Sequence, residues 1–184
     1  MLKLINNTIN HLINGATILY PTDTVWGIGC DATNENAVKR VYQLKQRTAS
    51  KSLIILVNNF EMLTKYVTPP TEIIAYLSNT TESITVIYSN PRNLAQNLIA
   101  EDNTIAIRVV KDTFNNALIS KYKKPIVSTS ANTSGLPTPS NFSEIEETIL
   151  NNVDYIVKLD LEFPNTKPSK IVKVVKGEIV VLRD

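Results

Sequence analysis

The chain has 184 residues, of which 43% are hydrophobic and 20% charged, and a formal net charge of +2. These proportions are typical of a globular protein with one sizeable core, so we expect a single domain over residues 1–184. No apolar run approaches the ~20 residues that a membrane helix needs, and the Asn-interrupted N-terminus does not read as a signal peptide, so we expect no membrane partner. The single cysteine, Cys30, cannot form an internal disulfide, which favours a cytoplasmic location. One cysteine and one histidine do not support a tetrahedral metal site.

The predicted elements alternate between helices and strands. In chain order they are a helix over 3–14, a strand over 16–21, a helix over 34–46 capped by Asn34, a strand over 52–57, helices over 59–66 and 71–78, strands over 84–89 and 104–110, a helix over 112–122, a strand over 125–129, a helix over 143–152, a strand over 154–159 and a hairpin over 169–184 that turns at Lys176-Gly177. This order indicates an α/β fold with a twisted mixed parallel/antiparallel sheet and surrounding helices. In such sheets ligands bind beyond the carboxyl ends of the strands.

Small polar residues follow the first predicted strand. Residues 20–32 read YPTDTVWGIGCDA, in which Thr22, Asp23 and Thr24 come directly after the proline that stops the strand. A simple turn with Trp26 in the core explains the same composition. The stretch is therefore a candidate site only in combination with others.

Two cations lie at the end of the predicted second helix. Residues two apart on a helix point away from one another, so Lys45 and Arg47 face one ligand only if the helix ends there and the chain extends. Residues 48–50 suit such an exit, after which Lys51 would join the same edge of a cleft. Cations that complement the helix dipole are the alternative, and taken alone that alternative is favoured.

Arg108 and residues 128–135 complete the set of candidate stretches. A guanidinium inside the apolar strand TIAIRVV is costly unless it meets an anion, either a protein carboxylate or a phosphate. The run STSANTSG follows another buried strand, and its hydroxyl and amide groups can donate to phosphate oxygens or to a base edge. A loop without a ligand is the alternative for this run.

Taken together and in order, these stretches resemble the YrdC/TsaC family of threonylcarbamoyl-adenylate synthases. The resemblance rests on YPTDTVWGIGCDA, KQRTASKSLIILV, AIRV, VSTSANTSGLP and the terminal PSKIV…VLR, and it runs from about residue 16 to 183. Its most specific part is the family's Lys-x-Arg…Ser-x-Asn signature, present here as Lys45, Arg47, Ser130 and Asn132.

The resemblance implies a reaction and a set of partners. The substrates would be ATP, L-threonine and bicarbonate or CO2, with Mg2+ arriving on ATP, and the products would be threonylcarbamoyl-AMP and pyrophosphate. A separate transferase complex would then pass the threonylcarbamoyl group to a tRNA adenosine to make t6A. The fold would carry a concave, positively lined groove.

Site residues follow from the same resemblance, position by position. It implies nucleotide binding by Lys45, Arg108, Ser130, Asn132 and Arg183, threonine binding by Thr22, Arg47 and Ser169, catalysis by Lys45 and Arg47, and no metal ligand from the protein. Asp23 is a further candidate for proton removal or for Mg2+. Because no side-chain nucleophile is needed, the protein would act by positioning and charge stabilisation.

Four departures from the family pattern affect the expected substrate affinity. Residues 80–85 read TTESIT where the family usually reads Trp-Pro-Gly-Pro-Leu-Thr, Leu56 stands where many members have histidine, Ser52 replaces a common proline, and Lys170 a common threonine. Two other functions stay open at this point. One is a non-catalytic module that binds tRNA or double-stranded RNA on the same basic face, and the other is carbamoyl-adenylate chemistry on another acceptor.

Overall fold

The computed structural model describes residues 1–47, 53–159 and 167–184. Its helices are α1 (Leu2–Ile13), α2 (Glu35–Leu44), α3 (Phe60–Leu63), α4 (Thr71–Ser78), α5 (Thr113–Tyr122) and α6 (Glu147–Asn152), and its strands are β1 (Ile18–Tyr20), β2 (Gly27–Gly29), β3 (Ile54–Val57), β4 (Ile84–Ser89), β5 (Thr104–Val109), β6 (Ile126–Ser130), β7 (Tyr155–Ile156), β8 (Lys170–Val175) and β9 (Glu178–Arg183). The predictions for the chain exit at 48–50, for Lys51 and for Ser52 fall outside the described residues.

The described strands form one sheet in the order β7-β1-β2-β6-β3-β5-β4-β8-β9. Three neighbouring pairs are parallel, namely β1 with β7, β3 with β5 and β4 with β8, and the other pairs are antiparallel. Helix α1 packs against α5 and β1, α3 and α5 pack against β3, and α4 packs against β9. The predicted mixed sheet with surrounding helices is confirmed.

Several helices begin where the sequence supplies a cap. The side chain of Asn34 accepts a hydrogen bond from the backbone N–H of Ala37 at the start of α2, as predicted. Asp112 does the same for Asn115 at the start of α5. The terminal hairpin turns at Lys176 and Gly177, whose φ angles of 52° and 82° give the twist that a two-residue hairpin turn needs.

Strand β2 was not predicted, because its sequence Gly-Ile-Gly has little intrinsic strand preference. Its glycines are explained by close packing instead. A Cβ at Gly29 would lie 2.2 Å from the carbonyl oxygen of Val127 and 2.7 Å from the ring of Tyr20. The close approach of β1, β2 and β6 therefore depends on a residue without a side chain.

The predicted helix over 143–152 is wrong in its first half. A single 3₁₀ turn covers Phe142–Glu144, and the α-helix begins only at Glu147. The side chain of Asn141 caps the 3₁₀ turn, and the extended backbone of Ile145 separates it from α6. None of the helices in the described ranges combines the length and the apolar run needed to cross a bilayer.

Candidate active site

One face of the central strands forms the floor of a pocket with a volume of about 260 Å³. The described residues that line it include three arginines, a set of hydroxyl side chains and an apolar floor: Arg47, Arg108 and Arg183, then Thr24, Ser128, Thr129, Ser130, Thr138 and Ser169, then Ile54, Ile87, Ala106 and Ile171. We call it the arginine pocket. Its composition suits an anionic ligand with further hydrogen-bonding groups.

Five of the eight predicted site residues line the arginine pocket. They are Arg47, Arg108, Ser130, Ser169 and Arg183. They lie just after α2, in β5, at the end of β6, just before β8 and at the end of β9, so residues more than a hundred positions apart meet in one cavity. The other three, Thr22, Lys45 and Asn132, are not among its described lining residues.

Arg108 is the most deeply buried of the three arginines, with 3% of its surface exposed. Its Nη1 donates to the hydroxyl of Thr24 at 3.1 Å, and its Nη2 lies 3.0 Å from Oδ1 of Asp23. That ion pair does not have hydrogen-bond alignment, and Nε and Nη2 donate to no described residue. Of the two anions that the sequence left open for Arg108, the structure supplies a carboxylate.

Ser169 and Arg183, which also line the arginine pocket, are held to each other. The carbonyl oxygen of Ser169 accepts hydrogen bonds from Nε and Nη2 of Arg183, at 3.2 and 2.7 Å. The hydroxyl of Ser169 lies 2.7 Å from that of Thr85. Burial lowers the pKa of Arg183, and the charge of Arg108 lowers it further. Two guanidinium groups thus stand close enough to repel each other, which an anion between them would relieve.

Lys45 is buried beside the loop after β6 and is not among the described lining residues of the arginine pocket. It is 1% exposed, and its ammonium donates to the carbonyl oxygens of Ser130 and Asn132 at 2.5 and 2.6 Å. Burial, and then the neighbouring Arg47, lower the pKa of Lys45 to about 8. Its described contacts fasten the end of α2 to the loop after β6, and the predicted contact with a nucleotide stays a prediction.

Asn132 also serves the shape of that loop. Its Nδ2 donates to the carbonyl oxygens of Thr133 and Leu136, and the residue is 8% exposed. Glu146 accepts from both the backbone N–H and the hydroxyl of Thr133. Lys45 and Asn132 therefore support the loop that follows Ser130, a relation that depends on tertiary contacts and has no signal in the sequence.

Thr22 organises the turn between β1 and β2. Its hydroxyl donates to the carbonyl of Val25 and lies 3.0 Å from the hydroxyl of Thr24. Thr24, which was not assigned a role from the sequence, lines the arginine pocket together with Val25 of the same turn. The strand alternation of β6 could likewise have identified Ser128, which shares a face with Ser130.

A second, smaller pocket adjoins the first and shares Thr24 and Pro168 with it. Two of the departures from the family pattern line this pocket, namely Glu82 of TTESIT and Lys170. These two side chains form an ion pair of 3.1 Å. Lys170 also pairs with Asp184, and Ser83 donates to Asp23 at 2.7 Å. Another departure, Leu56, is buried next to Arg108 in the β3–β5 register. Glu82 and Ser83 of TTESIT are thus held by an ionic and a hydroxyl contact, respectively.

A metal held by the protein alone does not fit these residues. In the described parts of the chain no three His, Cys, Asp or Glu side chains are grouped to hold an ion. Asp23, the candidate Mg2+ ligand, has one oxygen paired with Arg108 and accepts from Ser83 with the other. We therefore assign no step to a protein-bound metal.

Comparison with known proteins identifies the family. A family model for the Sua5, YciO and YrdC proteins, described as "Telomere recombination", matches residues 10–184. The threonylcarbamoyl-AMP synthase of Pseudoalteromonas translucida is 35% identical over 175 residues, which is 93% of each chain.

Solved structures agree in fold. P. abyssi Sua5 complexed with L-threonine is 26% identical with a TM-score of 0.86 and matches 97% of this chain, although this chain spans only 53% of that one. Escherichia coli YciO has a TM-score of 0.87 at 24% identity, covering 100% of this chain and 90% of its own, and shows the fold alone. From the match over residues 10–184 and the related synthases, the chain belongs to the Sua5/YciO/YrdC family.

Proposed function

We propose that this protein is an L-threonylcarbamoyladenylate synthase, a nucleotidyltransferase that serves the t6A modification of tRNA. It would form threonylcarbamoyl-AMP and pyrophosphate from L-threonine, bicarbonate or CO2, and ATP. Related proteins carry the name of this activity, and one structural neighbour is complexed with L-threonine. The observation that carries the proposal is the arginine pocket, which is lined by Arg47, Arg108 and Arg183 together with a set of hydroxyl side chains.

The proposed reaction needs positioned charge and no side-chain nucleophile. The neutral amine of threonine attacks CO2, loses a proton to solvent and becomes a carbamate. A carbamate oxygen then attacks the α-phosphorus, and the bond from this phosphorus to the bridging oxygen breaks as pyrophosphate leaves. Negative charge on the phosphates is met by Arg108 and Arg183, and Arg47 grips the threonine carboxylate in a bidentate pair.

The loop after β6 contributes hydrogen bonds rather than charge. Ser130 presents its hydroxyl to the nucleotide, while Lys45 and Asn132 keep the loop in shape through the contacts described above. In this proposal Mg2+ enters bound to ATP and neutralises phosphate charge. Thr22 acts on the substrates through Thr24, which shares its turn.

The proposal extends to partners and place. The adenylate product is a reactive mixed anhydride, so we propose that a threonylcarbamoyl-transferase complex receives it and passes the group to tRNA. Direct contact of this chain with tRNA or double-stranded RNA, and a cytoplasmic location, belong to the same proposal. A purely RNA-binding role is less well supported, because binding to a phosphate backbone does not require a buried arginine surrounded by strands that carry hydroxyl side chains.

The decisive experiment is incubation with ATP, L-threonine, bicarbonate and Mg2+, followed by pyrophosphate detection. We expect release that requires both threonine and bicarbonate, and its loss in Arg47→Ala and Arg108→Ala. Replacing threonine by glycine is the control for the acceptor. Pyrophosphate release without threonine would count against the synthase and in favour of another acceptor. No pyrophosphate release together with tight RNA binding would count against the synthase and in favour of an RNA-binding module.

A further inference from the structure

The ion pair between Asp23 and Arg108 lies across the wall of the arginine pocket. Arg108 lines that pocket, whereas Asp23 lines the smaller neighbouring pocket and a third pocket beside Asp112. The guanidinium therefore has a carboxylate on one side and the open pocket on the other. Side-chain exposure is 4% for Arg108 and 10% for Asp23, so water screens the pair poorly.

The geometry of the pair is electrostatic and not directional. Nη2 of Arg108 and Oδ1 of Asp23 are 3.0 Å apart, yet neither atom makes a hydrogen bond to a described residue. The other carboxylate oxygen accepts from Ser83 at 2.7 Å, which fixes Asp23 in place. Arg108 consequently has its charge balanced by Asp23, while its buried Nε and Nη2 make no hydrogen bond to a described residue and the residue still lines the arginine pocket.

We propose that Asp23 is the resting counter-ion of Arg108, and that an anionic substrate shares the guanidinium with it on binding. Asp23 stabilises the empty pocket, because a buried guanidinium without an anion is costly. The same carboxylate repels an incoming anion and so lowers its affinity. For a synthase that must release pyrophosphate, a waiting counter-ion favours departure of the product. The effect on pyrophosphate release rests on the proposed function, whereas the sharing of Arg108 requires only that the pocket binds an anion.

The test is the isosteric variant Asp23→Asn, measured with inorganic tripolyphosphate by isothermal titration calorimetry and thermal unfolding. Without ligand, we expect the variant to melt about 10 °C lower, since one partner of a buried pair has lost its charge. We expect tripolyphosphate to bind about tenfold more tightly, because one nearby negative charge has gone. The melting-temperature increase caused by the anion should accordingly be larger than in the unaltered protein.

Asp112→Asn is the matched control. Asp112 is a half-buried carboxylate that senses the charges of both Asp23 and Arg108, but it accepts its hydrogen bonds from Asn115. Asn also caps helices well, so α5 should persist. We expect this variant to change the affinity for tripolyphosphate less than about threefold, which separates the paired carboxylate from the general loss of a negative charge.

Unchanged or weaker binding of tripolyphosphate by Asp23→Asn would overturn the proposal, and so would an equal effect of Asp112→Asn. If Asp23→Asn does not fold, the double variant with Arg108→Gln decides, because removal of both charges should restore folding. Failure of the double variant to recover would also overturn the counter-ion role. Tighter anion binding in a protein that releases no threonine-dependent pyrophosphate would support this inference while rejecting the proposed function.

Discussion

Lys45 and Arg47 are separated by one residue, yet their charges have different surroundings. The ammonium of Lys45 is enclosed and hydrogen-bonded to the carbonyl oxygens of Ser130 and Asn132. Arg47 is half-buried and lines the arginine pocket. The two cations of the signature thus have different roles. Lys45 stabilises the loop after β6, and Arg47 faces the arginine pocket.

This division predicts different outcomes for Lys45→Met and Arg47→Met. Lys45→Met should lower the free energy of unfolding by about 3 kcal/mol, because buried carbonyl oxygens lose a charged donor. Arg47→Met should cost less stability than Lys45→Met, because Arg47 is only half-buried, and it should abolish pyrophosphate release. Urea unfolding and the pyrophosphate assay on both variants measure the two effects. Equal stability of the two variants would contradict the loop-fastening role of Lys45.

At the same scale, the sequence was a better guide to the types of residue in the site than to the contacts that those residues make. The pattern located Arg108 and restricted its partner to a carboxylate or a phosphate, but the choice of Asp23 depends on strands far apart in sequence. The contacts of Lys45 and Asn132 with loop carbonyls involve only backbone acceptors. Every residue carries such an acceptor, so no sequence pattern identifies the one used.

At the scale of elements, the end of α2 decides whether the signature can face a ligand. The helix ends at Leu44, and Gln46 adopts a left-handed φ of 49° before the chain turns to Arg47. The helix thus ends two residues before the predicted end at residue 46, and the predicted extension of the chain falls outside the described residues. The left-handed conformation is unfavourable for a residue with a side chain and is the usual place for glycine after a helix.

We predict that Gln46→Gly stabilises the protein by about 0.5–1 kcal/mol, raising the melting temperature by about 2–3 °C. Gln43→Gly is the matched control, because Gln43 is also exposed but lies within α2. The control should lose about 1 kcal/mol. Differential scanning calorimetry measures both changes, and destabilisation by both glycines would show that the Gln46 side chain has a role of its own.

Elements with strong local signals were predicted well, and those defined by packing were not. Strand β4, helix α4 and the hairpin turn at Lys176-Gly177 match their predictions, because periodicity and turn residues are properties of the local sequence. Strand β2 is set instead by the close approach of β1 and β6 around Gly29. The early part of the predicted helix over 143–152 was overridden by the cap of Asn141.

At the scale of the whole molecule, two carboxylates tie separate parts of the chain together at the β7 half of the sheet. Asp31, which follows β2, accepts hydrogen bonds from Tyr122 and Lys124. Asp154, which precedes β7, accepts from the N–H and hydroxyl of Thr17 and pairs with Arg40 of α2. These links join α2, α5, β1 and β7 without belonging to the arginine pocket.

The two carboxylates predict how stability responds to acid. Burial raises the pKa of Asp31, but hydrogen bonds from Lys124, Thr33 and Tyr122 outweigh it, so the net pKa lies below the ordinary 3.8. The pKa of Asp154 is lowered in the same way, chiefly by Arg40 and Thr17. A carboxyl with a depressed folded pKa contributes stability above the unfolded pKa and loses it as pH falls through the folded pKa.

Because of these two groups, we expect stability to decline below about pH 4. Asp154→Asn should be about 1 kcal/mol less stable at pH 7 and should show a shallower decline between pH 4 and pH 2.5.

Asp112 supplies a contrast of opposite sign, since burial and then the nearby Asp23 raise its pKa while its hydrogen bonds oppose the rise. Its protonation favours the folded state on acidification, so Asp112→Asn should decline earlier than the unaltered protein. Urea unfolding from pH 7 to pH 2.5 gives the slope of the unfolding free energy against pH for the unaltered protein and for the two variants. Identical slopes would mean that neither carboxylate couples folding to protons, and that acid acts through the net charge of the whole chain instead.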